Sequence, residues 1–158
     1  MILELLLLIV VANGGPVLLS YLLHHRSSLP VDFGLILADK KRCFGDNKTW
    51  RGVLSSVIVT ALLAELLGFD YVTGLQLSSL AMAGDLFSSF IKRRLGQPSG
   101  ARALFLDQVP ESFLPAWWLM EEFALGLMQV IVLVLAFIII EQALSFVFYK
   151  LGVRKNPY

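Results

Sequence analysis

Every lysine and arginine in the chain lies in one of three short segments, 26–51, 92–102 and 150–155, and the sequence between them is almost wholly apolar. A helix needs about 20 apolar residues to cross the hydrocarbon core of a bilayer, where its backbone polar groups must be satisfied internally. Segments 2–23, 71–91 and 123–149 meet that length, and 53–67 falls short of it. Segment 103–120 is apolar at both ends but contains Asp107, Gln108, Pro110 and Glu111. With 57% hydrophobic residues and a mean hydropathy of +0.75, the bilayer is the expected solvent, since soluble chains are roughly half apolar.

Basic loops are retained in the cytoplasm. Five spans put all three basic segments on that side; four would place Lys150, Arg154 and Lys155 opposite the other two clusters. The remaining ends and turns carry Glu4, Asp70, Glu121 and Glu122 without a basic neighbour. The expected architecture is therefore all-α and polytopic, a single integral membrane domain over 1–158 with five transmembrane helices. Its N-terminus lies outside and its C-terminus in the cytoplasm, and two cytoplasmic loops form the site. The first residues, Met1, Ile2, Leu3 and Glu4, lack the basic region of a secretory signal, so the segment is read as retained.

Asn13, Gly14, Gly15 and Pro16 are expected to break the first helix and open a polar cavity for a lipid headgroup. His24 and His25 are read as interfacial, as are Trp50, Trp117 and Trp118. Glu65 is placed near the outer surface, and Glu141 in the last span is expected to hydrogen-bond another helix. The lone Cys43 excludes a disulfide framework and a cysteine metal cluster. A net charge of +1 argues against a nucleic-acid partner. Oligomeric state is not encoded legibly, which leaves a homodimer open.

The end of the third span sets Asp85, Ser88, Ser89 and Lys92 at i, i+3, i+4 and i+7, one face of a helix. Asp85 then lies about 10 Å below Lys92. A carboxylate at such depth faces protein or water, either as a structural ion pair or as part of a site. Asp107 and Glu111 place further carboxylates where the chain re-enters the membrane, although acidic residues are also favoured at a solvated helix start. Two carboxylates from separate segments beside basic residues suit Mg2+ and a polyphosphate, because Mg2+ takes one or two carboxylates and completes its shell with phosphate oxygens and water. In the first loop Lys48, Thr49 and Arg51 stand at the N-terminus of a membrane helix, which attracts anions; a basic juxtamembrane segment against anionic lipid has the same composition. The run Gly-Asp-Asn-Lys-Thr is not a nucleotide-hydrolase phosphate loop, since Asn47 replaces the required second glycine.

Three motifs, Gly-Asp-Asn-Lys-Thr-Trp-Arg-Gly from Gly45, Gly-Asp-Leu-Phe-Ser-Ser-Phe-Ile-Lys-Arg-Arg from Gly84 and Leu-Asp-Gln from Leu106, together resemble the CDP-archaeol synthase family. The resemblance covers most of the chain, from Asn13 to Leu151 and Gly152. It implies a magnesium-dependent, multi-spanning cell-membrane enzyme that joins CTP to a lipid phosphate and releases pyrophosphate. By that similarity Asp85 and Asp107 hold Mg2+ and act in catalysis with Lys92, while Lys48, Thr49, Arg51, Ser89 and Arg93 bind the nucleotide. Ser89, Lys92, Arg93 and Asp107 are also similar to the pattern of phosphatidate cytidylyltransferases. Those enzymes carry a His-Gly-Gly segment where this chain has Ala103, Leu104, Phe105 and Leu106, which favours the archaeol branch. The carboxylate expected three residues after Asp107 is replaced by Pro110, with Glu111 beside it. The implied substrate is a diprenylglyceryl phosphate; phosphatidate is the alternative. A CTP-dependent lipid kinase would release CDP, and a non-catalytic lipid-binding protein or transporter would not turn over CTP.

Overall fold

The computed structural model describes residues 1–22 and 29–153 and contains five helices: α1 (Ile2–Leu22), α2 (Trp50–Leu66), α3 (Tyr71–Arg94), α4 (Gln108–Trp118) and α5 (Leu127–Lys150). His24, His25, Arg26, Arg154 and Lys155, to which the sequence assigned interfacial or cytoplasmic positions, lie outside the described residues.

Two of the helices, α1 and α5, are in themselves long and apolar enough to cross a membrane. The other three carry their polarity inward. Ser55, Ser56 and Thr60 of α2, Thr73, Ser78, Ser88 and Ser89 of α3, and Gln108, Glu111 and Ser112 of α4 are buried. Leu54, Ile58, Val59, Leu62 and Leu66 on α2 are exposed. Buried serines beneath exposed leucines invert the order of a water-soluble domain and match a lipid surround. Helix α4 spans 11 residues, about 16 Å at 1.5 Å per residue, and so is shorter than the expected span 103–120. Its ends are extended by turns: Asp107 pairs with Lys92 near the end of α3, and Glu122 accepts a hydrogen bond from Thr73 near its start. The α4 segment thus runs antiparallel to α3 from one end of the bundle to the other.

The first helix is not broken, contrary to the expectation from its sequence. Pro16 lies inside α1 and cannot supply the N–H that would bond the Ala12 carbonyl. Ser56 Oγ donates to that carbonyl at 2.7 Å, and Asn13 Nδ2 donates to the Ile9 carbonyl at 3.0 Å. A hydroxyl from α2 and a local side chain satisfy the ladder, so the helix continues through the proline.

Elsewhere the helix ends follow from local chemistry. Thr49 Oγ1 accepts from Gly52 N at 3.2 Å, Asp70 accepts from Val72 N at 2.9 Å, and Lys92, Arg93 and Arg94 occupy the last turn of α3, where cations complement the helix dipole. Glycines set two of the helix crossings. A Cβ at Gly74 would lie 2.6 Å from Ala61 Cα, and one at Gly84 would lie 2.6 Å from Glu111 N, so α3 meets α2 and α4 backbone to backbone.

Two ends of different character result. At one, Leu5, Leu8, Ile9, Leu77, Leu119, Phe123 and Leu133 form an apolar core, with the Phe69 and Phe123 rings 4.7 Å apart. At the other, loop 29–49 and loop 95–106 dock together. Lys41 Nζ donates to the Arg94 carbonyl at 2.8 Å, and Arg94 donates to Asp39 at 3.1 Å and to the Arg42 carbonyl at 2.5 Å. The sequence placed these basic segments on one face, and the fold brings them into contact.

Candidate active site

Loop 29–49 has almost no regular structure, yet it holds its shape around one carboxylate. Asp32, buried at 7% exposure, accepts hydrogen bonds from the backbone of Gly34, Phe44 and Gly45 and from Arg42 Nη2 at 2.7 Å. Burial opposes its ionisation, but Arg42 and the three backbone donors outweigh burial and hold the carboxyl far below the usual carboxylate range. The knot fixes the loop just ahead of Lys48. Sequence reasoning missed Asp32; the Asp-x-Gly spacing of an Asx turn was the available signal.

Between the docked loops and the helices lies a cavity of about 640 Å³, in the range of small-molecule sites. All eight residues given catalytic or nucleotide-binding roles by the family resemblance line it: Lys48, Thr49, Arg51, Asp85, Ser89, Lys92, Arg93 and Asp107. Its apolar wall includes Val17 and Tyr21 of α1 and Leu144 and Phe148 of α5. Helix α5 packs on α4 and α1 and not on α3, so this side of the cavity is bounded by α1 and α5.

The carboxylates are held by lysines from other elements. Lys48 Nζ lies 2.5 Å from Asp85 Oδ2 and 2.6 Å from Oδ1. Lys92 Nζ lies 2.6 Å from Asp107 Oδ1 and donates to the Ala101 carbonyl at 2.9 Å. Asp107 Oδ2 accepts from Ala103 N at 3.0 Å. Burial works against the Lys48 ammonium, but Asp85 outweighs it and raises the pKa above that of a free lysine. Ser88, on the same polar face as Asp85, turns back to the Asp85 carbonyl at 2.9 Å.

Two further acidic residues line the cavity. Glu111 is 6% exposed and lies within electrostatic reach of Asp85, Asp107, Glu141 and Lys48. Glu141 was expected to bond a neighbouring helix; its Oε2 is instead buried without a hydrogen-bond partner among the described residues, and the side chain faces the cavity. Periodicity could not reveal this, since the position of α5 relative to the loops is a tertiary fact. Among the described residues, five basic side chains (Lys48, Arg51, Lys92, Arg93 and Arg102) and five acidic ones (Asp46, Asp85, Asp107, Glu111 and Glu141) line the cavity. No three His, Cys, Asp or Glu side chains among the described residues form a ready metal cage. Such a site suits a cation that arrives with its own oxygen ligands.

Comparison with known proteins identifies the family. The sequence model of the CarS-like family, CDP-archaeol synthase, matches residues 3–158. The CDP-archaeol synthase of Pyrobaculum calidifontis is 36% identical over 155 residues, covering 94% of this chain and 91% of the relative. That of Sulfolobus acidocaldarius is 34% identical with the same coverage. Among solved structures, one described as an intramembrane enzyme for archaeal membrane lipids biosynthesis superposes with a TM-score of 0.73 at 28% identity, over 90% of each chain. The chain is a membrane-embedded cytidylyltransferase and belongs to the CDP-archaeol synthase family.

Proposed function

We propose that the protein transfers the cytidylyl group of CTP to the phosphate of an archaeal-type diprenylglyceryl lipid, giving a CDP-lipid and pyrophosphate. The observation that carries this reading is the convergence of the phosphate-binding and carboxylate residues of three sequence segments on one cavity with an apolar wall. The lipid chains lie along α1 and α5, and the nucleotide enters from the docked loops. An oxygen of the lipid phosphate attacks the α-phosphorus, and the bond to the bridging oxygen of the β-phosphate breaks. No protein nucleophile takes part. The chain holds the two reactants in line and neutralises the charge that develops on the leaving group.

Mg2+ fits the donors present. Asp85 and Asp107 would hold it, through hard oxygen ligands presented to one cavity, and bound there it would supply Lewis-acid neutralisation of the phosphates. Lys48 and Lys92 then exchange partners: each releases its carboxylate and takes a phosphate oxygen. Arg51 and Arg93 engage the phosphates, and Thr49 and Ser89 offer hydroxyl donors.

The substrate assignment is tested by steady-state turnover with matched ether and ester lipid phosphates in one detergent. The diprenyl ether is expected to give the higher kcat/KM, with some cross-reaction, since an apolar groove separates one methylene by only about 1 to 3 kcal/mol. A clear preference for phosphatidate would overturn the lipid assignment, and absence of CDP-lipid from either would overturn the reaction.

Five crossings with the docked loops in the cytoplasm complete the reading. In a Cys43→Ser background, single cysteines at Asp70 and Glu121 are expected to react with an impermeant maleimide in intact cells. Cysteines at Lys40 and Lys150 should react only after permeabilisation. Labelling of the Lys150 position from outside would reverse the orientation.

A further inference from the structure

The cations of the cavity are not in equivalent states. Lys48 and Lys92 are both engaged, with Asp85 and Asp107 respectively. Two arginines are not. Arg93 is 6% exposed, and its Nε and Nη2 atoms are buried with no hydrogen-bond acceptor among the described residues; Nη2 of Arg102 is in the same condition. Both side chains line the cavity. A guanidinium can neither lose its proton nor accept a hydrogen bond, so a buried N–H on it without a partner is a standing demand for an anion. A pair of such forks matches phosphate oxygens better than ammonium groups do.

Placement limits which phosphate this is. The arginines come from the end of α3 and from loop 95–106, and Ser99 Oγ and Arg93 Nη1 both close on Gly45, within 3.0 Å of where a Cβ would stand. That is the docked-loop side, whereas the apolar wall comes from α1 and α5. We propose that Arg93 and Arg102 form a polyphosphate subsite that takes the β- and γ-phosphates of the nucleotide and retains them as pyrophosphate. The proposal rests on the cavity being the CTP site, and it assigns a binding role to Arg102, which no motif in the sequence marks.

Calorimetry on the full-length protein in detergent with Mg2+ present tests it, using pyrophosphate, CTP and CMP as probes. Arg102→Gln is expected to weaken pyrophosphate and CTP about tenfold or more while leaving CMP within twofold, and Arg102→Lys, which keeps the charge but loses the fork, to fall between. Pyrophosphate and CTP affinities within twofold of the unaltered protein in Arg102→Gln would overturn the subsite, as would an equal loss for CMP. A rise in KM for the lipid phosphate with CTP unchanged would overturn it too, by moving the arginine to the lipid. Turnover is read separately. If the unaltered protein makes no CDP-lipid yet binds pyrophosphate in an Arg102-dependent way, the reaction assignment falls and the anion subsite stands.

Discussion

Replacing either Asp85 or Asp107 by asparagine is expected to lower turnover by about 1,000-fold or more, with the protein still folded and monodisperse in detergent. Preorganised charge at a phosphoryl centre carries catalysis on this scale. Asparagine keeps the shape and removes the charge, so the lysine partner loses its counter-ion and the triphosphate loses its cation. Lys48→Ala and Lys92→Ala should act differently, raising KM for CTP more than they lower kcat. A purely structural ion pair makes the opposite forecast. In that case Asp85→Asn combined with Lys48→Met would recover both stability and turnover, because removing both charges of a buried pair is often neutral. Recovery of turnover in the double variant, or near-normal activity in a folded single variant, would remove Asp85 from the catalytic set. CTP-dependent thermal stabilisation with and without Mg2+ gives a readout independent of turnover, and it should lose its Mg2+ dependence in both aspartate variants.

Gly84→Ala is expected to reduce activity by about 100-fold and to lower the thermal midpoint in detergent. The added Cβ would overlap the carbonyl group of Pro110 and stand 2.6 Å from Glu111 N. Those atoms are backbone and cannot turn aside, so α3 and α4 must separate, at about 1 to 3 kcal/mol for overpacking of this kind. Separation also moves Asp85 relative to Asp107, and displacement of a reacting group by about 1 Å can reduce rate about 100-fold. Gly15→Ala is the control. A Cβ there meets nothing within 4 Å, and alanine is the better helix former by about 1 kcal/mol, so stability should hold or rise. Equal effects at Gly84 and Gly15 would show that helix propensity, not the close crossing, governs the α3 position.

Much of this arrangement was legible in the residues. Segregation of the basic residues pointed to one functional face, and the spacing of Asp85, Ser89 and Lys92 put them on one side of a helix that does line the cavity. What sequence could not supply was partnership. Helical spacing placed Lys92 above Asp85, yet Lys92 pairs with Asp107 while Asp85 is taken by Lys48 from 37 residues away. Pro16 looked like a helix break because the rescuing Ser56 hydroxyl comes from another helix. Glu141 was expected to bond another helix and Arg102 went unmarked for a similar reason: each has a buried atom without a hydrogen-bond partner among the described residues, which depends on everything packed around it.

The apolar end of the bundle has a consequence for the membrane itself. Leu5, Leu8, Leu77, Leu119, Phe123 and Leu133 are each at most 3% exposed, and they form an apolar layer within the bundle. A phosphate or hydrated ion would have to be stripped of water to enter such a layer. That layer therefore opposes the passage of ions at the apolar end of the bundle.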